Sequence, residues 1–538
     1  MYTPTVEKEY DLAHRWTELD NKRTTILHNC EEYASWTLPF VFPPVGASTE
    51  NIELQNSKDS IGAQAVNHLS NKVVSTLFPG QRLFFRLKVD SKTTKLIRAA
   101  LMQTANGSVE KAQAELQRAL AVADTELLAV EKEANEYIDM VAYRPQAVHA
   151  AKLLIITGNA LMFHPDDSPV QVYNLKNYCL VRDISGQVIE MMTKEEKAFE
   201  TFKPEVQEQL KAIRPAMHKH AKQYAAKTNV VIYTQIKLED DGKFHVRQCG
   251  DHIKLDTTGA VWTRDTLPWI PLTWNLVQGE DYGRGLVAEY AGAFHAVNVL
   301  TNSLLNIAAI MGDIKFLVNP ASVLDVGEMN KAAPGTYHSG REGDITTPQV
   351  NKVSDAQFVQ ALIERYERQI AQAFLLNSQL TRQAERVTAE EIRRDANELE
   401  LSNGGIYSRL AATWQLPTAS IVLRQIDFQG VGDGIVPQII TGMDSLSRQS
   451  EMDNMHMFLI DLGALNNVPE DVRVFIKKDK YMELCGKNRQ VEYAAFTKTD
   501  AEVQAEMQAQ QQQLMQMEAQ KQQGAVAAEA GKQAIKEN

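Results

Sequence analysis

From Tyr290 to Gly312 the chain reads YAGAFHAVNVLTNSLLNIAAIMG, 23 residues without a charge. A helix of that composition has no wholly polar face, so most of its circumference needs lipid or protein around it. One reading is therefore a membrane-anchored structural protein that uses helix 290–312. Against it, Asn298, Asn302 and Asn306 recur every fourth residue beside Thr301 and His295, laying a polar stripe along one side. A single lipid-exposed span does not favour such a stripe. The favoured reading is a helix flanked by protein, with one hydrated edge, as where subunits stand side by side; no membrane insertion is expected.

A second helix is expected from Ser354, whose capping box with Gln357 precedes Phe358, Leu362, Tyr366, Ile370 and Ala373 on one side. Residues 313–353, rich in Gly and Pro, separate the two helices. After a short polar loop, Asn377 to Val387, Thr388 and Glu391 form another capping box before Ile392, Ala396 and Leu399. Gly404-Gly405 is expected to break or bend this third helix, and Leu416-Pro417 to end its continuation.

Upstream, Leu12, Trp16, Leu19, Ile26, Cys30 and Tyr33 make one amphipathic stripe over 7–36, stopped by LPFVFPP. Leu83, Phe85, Leu87 and Val89 alternate with Arg82, Phe84, Arg86 and Lys88, as in a strand over 80–90 with one basic face. Basic residues interleaved with Phe could also clamp a single nucleic-acid strand; an ordinary half-exposed strand is the plainer reading. Leu116, Leu120, Ala123, Leu127, Val130, Ala134, Tyr137 and Val141 keep a heptad-like rhythm through a long helix over 109–142, suited to a helical hairpin or a subunit contact. From Tyr173 to Trp274 short β-rich stretches alternate with turns at Asp241-Gly242 and Thr258-Gly259, interrupted by a polar helix near 194–226. The fold class is α+β, predominantly helical.

Lysine and arginine total 56 against 68 acids, a net charge of -12 with pI near 5.6, which argues against a broad cationic grip on nucleic acid. Cys30, Cys179, Cys249 and Cys485 are too scattered for a zinc pattern or a disulfide framework, which fits a reducing compartment. The N-terminus carries acids and no apolar core of a signal peptide, so a protein made and kept in the cytoplasm is expected. No phosphate loop, HExxH, GxSxG or paired CxxC occurs; no catalytic residue, cofactor or metal is expected, and the chain is read as no enzyme. Gly430, Gly432 and Gly434 have GxGxG spacing and meet Pro437 where a helix should start, so a loop is expected. His164 to Asp167, HPDD, offers metal-type ligands but reads as an exposed turn between prolines. Glu390, Glu391, Asp395 and Glu398 fit the acidic first turns of a helix better than a cation site. The final segment, 499–538, is rich in Gln and Ala and owns no core, so it is either a peripheral helix or a frayed tail.

The stretch ERVTAEEIRR, Glu385 to Arg394, resembles a hallmark of the portal, or head-to-tail connector, proteins of short-tailed double-stranded DNA bacteriophages. Further blocks follow that family in order: GAQAVNHLSNKVVSTLFP from Gly62, ITGNALMFHP from Ile156, YCLVRDISG from Tyr178, PWIPLTW with GEDYGRG through Gly285, FLVNP from Phe316 and GGIYSRL from Gly404. They run from about residue 10 to 420, whereas Thr273 replaces an expected basic residue and no block aligns after 430.

The resemblance implies a portal-type subunit assembled as a closed ring, usually of twelve copies in that family, at one capsid vertex. It implies a wing at 1–283, a first stem helix at 284–312, a clip at 313–353 and a second stem helix at 354–376. A tunnel loop at 377–387, a long bent wing helix at 388–430, a crown at 431–498 and a barrel helix or tail at 499–538 complete it. Implied partners are the terminase packaging motor, scaffolding and major capsid proteins, tail adaptor or gatekeeper proteins, and double-stranded DNA passing non-specifically. The implied localisation is the virion, after assembly in host cytoplasm. Twelve copies of net charge -12 carry a formal -144, so such a body repels duplex except where local groups are basic. Arg382 and Arg386, with Gln383, are the expected phosphate contacts on the tunnel loop, pairing of Arg386 with Glu385 or Glu390 being the alternative.

Overall fold

The computed structural model describes residues 12–44, 58–80, 83–89, 91–104, 109–166, 168–202, 204, 206–208, 229–250, 253–255, 260–312, 317–322, 325–337, 339–346, 353–376, 389–402, 405–428, 437–441, 447–464 and 478–489. The chain divides into two units, Met1–Ser445 and Leu446–Asn538.

The first unit opens with α1 (Leu12–Lys22) and α2 (Thr24–Trp36), two helices where one stripe over 7–36 is expected. The break falls at Arg23, whose side chain is fully buried and donates to the carbonyls of Leu175 and Tyr178, with Asp20 at 2.7 Å. A buried guanidinium needs fixed acceptors on several sides, and turning the chain there supplies them. Leu12, Trp16 and Leu19 of α1 then form a small core with Cys179, Met192 and Cys249. All four cysteines are buried and none is in a disulfide.

α3 (Ile61–Leu77) buries Ala65, Val66, Leu69, Val73 and Leu77. β1 (Arg86–Val89) follows and is shorter than the expected strand, because Phe84 and Phe85, adjacent in sequence, both turn into the core. That burial removes the aromatic faces a single-strand clamp needs. α4 (Ser91–Thr104) and α5 (Val109–Met140) form a helical hairpin, with Leu116, Ala123, Leu127 and Ala134 buried along the expected stripe. α6 (Tyr143–Thr157) is the central helix: Leu153, Leu154, Ile155 and Ile156 are buried on every side, and Gly158 in the left-handed region ends it.

β2 (Asn159–Phe163), β3 (Gln171–Tyr173) and the later β10 (Trp269–Thr273) make a three-stranded sheet ordered β10-β2-β3. β4 (Tyr178–Arg182), β5 (Val188–Lys197), β6 (Val230–Leu238), β7 (Phe244–Gly250) and β8 (Ile253–Lys254) form an antiparallel meander, with β9 (Val261–Trp262) pairing β7. Gly242, at φ +75°, makes the expected Asp-Gly turn between β6 and β7. The polar helix expected over 194–226 begins later than expected, residues 204 and 206–208 being helical. Lys194 to Lys197 continue β5 because their backbone pairs with Val230 to Tyr233, which outweighs the helical preference of KEEK. The turn at Thr258-Gly259 and most of 203–228 lie outside the described residues.

α7 (Leu286–Glu289), α8 (Ala291–Gly312), β11 (Leu317–Val318), α9 (Val326–Lys331), β12 (Ile345–Thr346) and α10 (Val353–Ala373) follow. α11 (Ala389–Ser402) stops before Gly405, at φ +80°, and α12 (Ile406–Leu410) then passes into a π-helical turn, Ala411–Gln415, and α13 (Leu416–Gln425). Pro417 therefore does not end the helical run. The Leu416 N–H reaches back to the Ala411 carbonyl, restarting the register so that Pro417 falls in a first turn, where its missing N–H is harmless. Trp414, which this turn aims inward, donates from Nε1 to the Tyr143 hydroxyl at 2.7 Å and stacks edge-on against Phe78. β13 (Pro437–Ile440) pairs with β1, so chain beyond 430 joins the first unit; the glycines at 430, 432 and 434 lie outside the described residues. The second unit contains α14 (Ser447–Ala464) and α15 (Lys478–Arg489) packed together, with the Tyr481 hydroxyl donating to the Asp461 carbonyl at 2.8 Å. The tail 499–538 lies outside the described residues.

His164 departs from the exposed turn expected of HPDD. Its imidazole is buried, packs on the Tyr143 ring at 5.6 Å, and leaves Nε2 without a partner; Asp166, by contrast, pairs with Arg424 at 2.8 Å. Burial, then the nearby Arg424 charge, lowers its pKa from 6.5 to about 3. Between those values the unfolded chain binds a proton that the folded chain refuses, so stability falls as pH drops from 6.5 toward 3. His164→Phe keeps the ring contact and removes this penalty. The drop in melting temperature between pH 7.5 and pH 5, followed by circular dichroism, is expected to be smaller in that variant than in the parent.

Candidate functional site: an exposed helical hairpin and its root

Gly158 and the Gly283–Gly285 turn cross so closely that neither tolerates a side chain. A Cβ on Gly158 would sit 2.4 Å from the Arg284 carbonyl carbon, and one on Gly285 would sit 2.6 Å from the Ile155 oxygen. Asn159 clasps the crossing: its Nδ2 donates to the Thr157 carbonyl at 2.9 Å and the Gly283 carbonyl at 2.8 Å, and its Oδ1 accepts from the Gly283 N–H at 2.8 Å. Neighbouring contacts draw in other segments. The Trp274 N–H donates to the Gly158 carbonyl at 2.9 Å, Arg409 Nη1 donates to the Trp274 carbonyl at 2.7 Å, and Asp281 Oδ1 accepts from the Arg182 N–H at 2.7 Å. Five blocks far apart in sequence, around 157, 180, 273, 283 and 407, thus meet at one place, and α7 and α8 leave it. Sequence reasoning missed Gly158, Asn159, Gly283, Gly285 and Arg409 as site residues; the glycine-bearing ends of ITGNA and GEDYGRG were the signal that marked a close approach.

α8 and α10 pack along each other to form the hairpin. Near the root Phe294 and Phe374 meet edge-on at 5.6 Å, with Tyr290 against Phe374 at 6.3 Å and Val297 buried beside them. On α10 the inward positions are Ile363 and Ile370, with Phe374 just past its end and Tyr366 in support; Phe358, expected on that side, is 66% exposed. The true stripe starts one helical step away because the contact with α8, not the apolar spacing alone, selects the face. Toward its free end α8 exposes Val299, Leu305, Ile310 and Met311, with Ile310 at 56%. Asn298 and Asn302 are half-buried and Asn306 is exposed, so the polar stripe runs from the packed part into the open part. His295 faces the Trp36 ring at 5.7 Å.

Beyond the hairpin, Leu317–Val318 pairs with Ile345–Thr346, and Asp325 caps α9 by accepting from the N–H groups of Gly327 and Glu328. Leu317, Val326, Met329 and Tyr337 are exposed there. α10 ends with Leu375 in the left-handed region, and the Leu376 N–H returns to the Ala371 carbonyl. Arg382, Gln383 and Arg386 lie outside the described residues, as do Glu385 and the side chains of Glu390 and Glu391. Past that segment, Lys72 of α3 pairs with Glu398 and, at 3.7 Å, with Asp395 of α11, so two of the four acids weighed as cation ligands hold a lysine instead.

Asn159→Ala would orphan the Gly283 N–H and carbonyl inside the protein, a loss of about 2–4 kcal/mol. A lowered midpoint in denaturant unfolding, with an unchanged midpoint for an exposed control such as Asn306→Ala, is the expected result.

A profile of the family described as bacteriophage head to tail connecting protein matches residues 9–487, extending well past 430. The portal protein of Enterobacteria phage SP6 is 32% identical over 492 residues, covering 91% of this chain and 90% of the relative. Portal proteins of Escherichia phage T7 and Pseudomonas phage phiKMV are 28% and 27% identical, covering 85% and 91% of this chain and 82% and 92% of their own lengths.

Proposed function

The chain belongs to the bacteriophage head to tail connecting protein family, and from that premise we propose that it is the portal subunit of a short-tailed phage virion: the conduit for genome packaging and ejection, and the docking platform at the head-tail junction. The observation that carries the structural part of this reading is the uncharged, largely unburied helix α8. It is long and apolar enough to cross a membrane, yet it runs beside α10, which carries Asp355, Glu364, Arg365, Glu367 and Arg368. Lipid around α8 would have to accept those charges too, an expense that neighbouring protein avoids. Burying each exposed Val, Leu or Ile of α8 against another copy would contribute about 1.5–3 kcal/mol.

In this reading α8 and α10 are the stem of a closed ring, twelve copies being the proposed number, and each stem packs between two others by a heterologous contact repeated until the rotation closes. Residues 313–353 form the clip facing the packaging motor and later the tail adaptors, and the wing faces scaffold and capsid protein. The segment 377–387 is the tunnel loop, where Arg382 and Arg386, with Gln383, touch phosphates without reading sequence. ATP hydrolysis belongs to the motor. An acidic body suits the task, because every phosphate neutralised firmly would make moving DNA stick, and more so at low salt.

Leu305→Asp with Ile310→Asp is expected to leave the melting temperature of the single chain almost unchanged and to abolish rings in electron micrographs of purified protein; rings that persist in the variant would remove α8 from the subunit contact. Arg382→Ala with Arg386→Ala is expected to leave rings intact while changing genome packaging or retention in mutant phage, and unaltered packaging would end the role given to the loop.

A further inference from the structure

We propose that the outward face of β1 and α4 is a second, sequence-independent contact for the phosphate backbone of duplex DNA, separate from the segment 377–387. From Arg82 to Arg98 the chain places six basic residues against one acid, Asp90, and no other acid follows until Glu110, in a protein of net charge -12. The strand's alternation buries Leu87 and Val89 and leaves Arg86 half-buried and Lys88 exposed on the other side. One residue beyond the strand α4 begins, and Lys95 and Arg98, three apart, are exposed on one helical face. Lys88, Lys95 and Arg98 make no ion pair among the described residues.

The strand end of the row is held on both edges, and α4 packs on α5. β13 pairs one edge of β1, and on the other Glu131 of α5 accepts the Leu87 N–H at 2.8 Å. Two features select the partner. Phe84 and Phe85 are 3% and 2% exposed, so no aromatic face is offered to splayed bases, and single-strand stacking is excluded. Among the described side chains of β1 and α4 themselves no large apolar one is exposed, the exposed Val122 and Leu128 lying on the neighbouring α5, so the strand and helix that carry the cations lack the anchors that dominate protein–protein hot spots. What remains is a row of solvated cations, the chemistry of phosphate-backbone contact. A single copy carries the whole row, so the assignment does not depend on ring closure.

The test is fluorescence anisotropy of a labelled 30-base-pair duplex (about three helical turns) with the purified full-length protein, titrated at several salt concentrations. Binding is expected to weaken as salt rises. Lys88→Glu, Lys95→Glu and Arg98→Glu together are expected to lower affinity about tenfold or more at low salt and to flatten the log–log salt slope by about 3, near 0.9 for each phosphate no longer neutralised. Should that variant misfold, the corresponding triple glutamine variant is expected to show the same direction with a smaller effect. The Arg382→Ala, Arg386→Ala variant is expected to keep most of the affinity. Absence of duplex binding by the parent, equal affinity and slope in the triple variant, or failure of binding only in the loop variant overturns the proposal. So does displacement of the duplex by polyglutamate at equal charge concentration, which would assign the surface to an acidic protein segment.

Discussion

The rest of the first unit is organised by a place where two backbones touch with nothing between them. Gly158 and Gly285 approach to a separation that a methyl group would forbid, and Asn159 converts that proximity into two buried hydrogen bonds to Gly283, with a third to Thr157 at the end of α6. In a buried setting such groups are strongly worth keeping paired, because each one left open carries its full desolvation penalty. The hairpin α8–α10 leaves from this crossing, so its direction is set by α6, whose Leu153–Ile156 run is wholly buried, and not by a flexible joint. A long exposed hairpin can present a face to neighbouring molecules only if its root does not yield.

Much of this architecture was legible in local pattern. The run without charge from Tyr290, the heptad rhythm of 109–142 and the Asp-Gly turn at 241 each depend on residues within a few positions of one another, and each element formed as its pattern required. What was not legible involves partners far away. Arg23 divides one amphipathic stripe into two helices because its acceptors are carbonyls more than 150 residues downstream. KEEK at 194 becomes strand because Val230 to Tyr233 supply a ladder, and His164 is buried because the Tyr143 ring lies over it. The helical continuation through Pro417 depends on one π-helical turn, a register change that no spacing rule announces.

The site shows the same division. Asn298 and Asn302 are half-buried on α8 and Asn306 is exposed, while Phe358, given to the inner side of α10 by its spacing, points out. Periodicity says that a helix has a preferred face; only the facing helix decides where that face is centred. The clasp at Asn159 was hidden for another reason. Asparagine beside glycine ordinarily marks a turn, and its second half, Gly283, stands 124 residues away.

Charge is where the sequence-level average misleads most. A net -12 says that the chain as a whole repels a polyanion, and for a conduit that average is useful, since contact that is weak everywhere allows movement. The average also conceals local structure, because acids and bases are not mixed evenly. Screening confines each cluster's influence to about 8–10 Å at physiological salt, so an exposed basic row acts on what lies against it almost independently of the acidic remainder. A low-affinity body with a few sharply local cations can repel duplex at a distance and still hold it at chosen points. Burial of Phe84 and Phe85 is what separates these functions at β1: turning both rings into the core leaves the exposed side of the strand to the cations alone, so contact there can be electrostatic without the stacking that would trap a base.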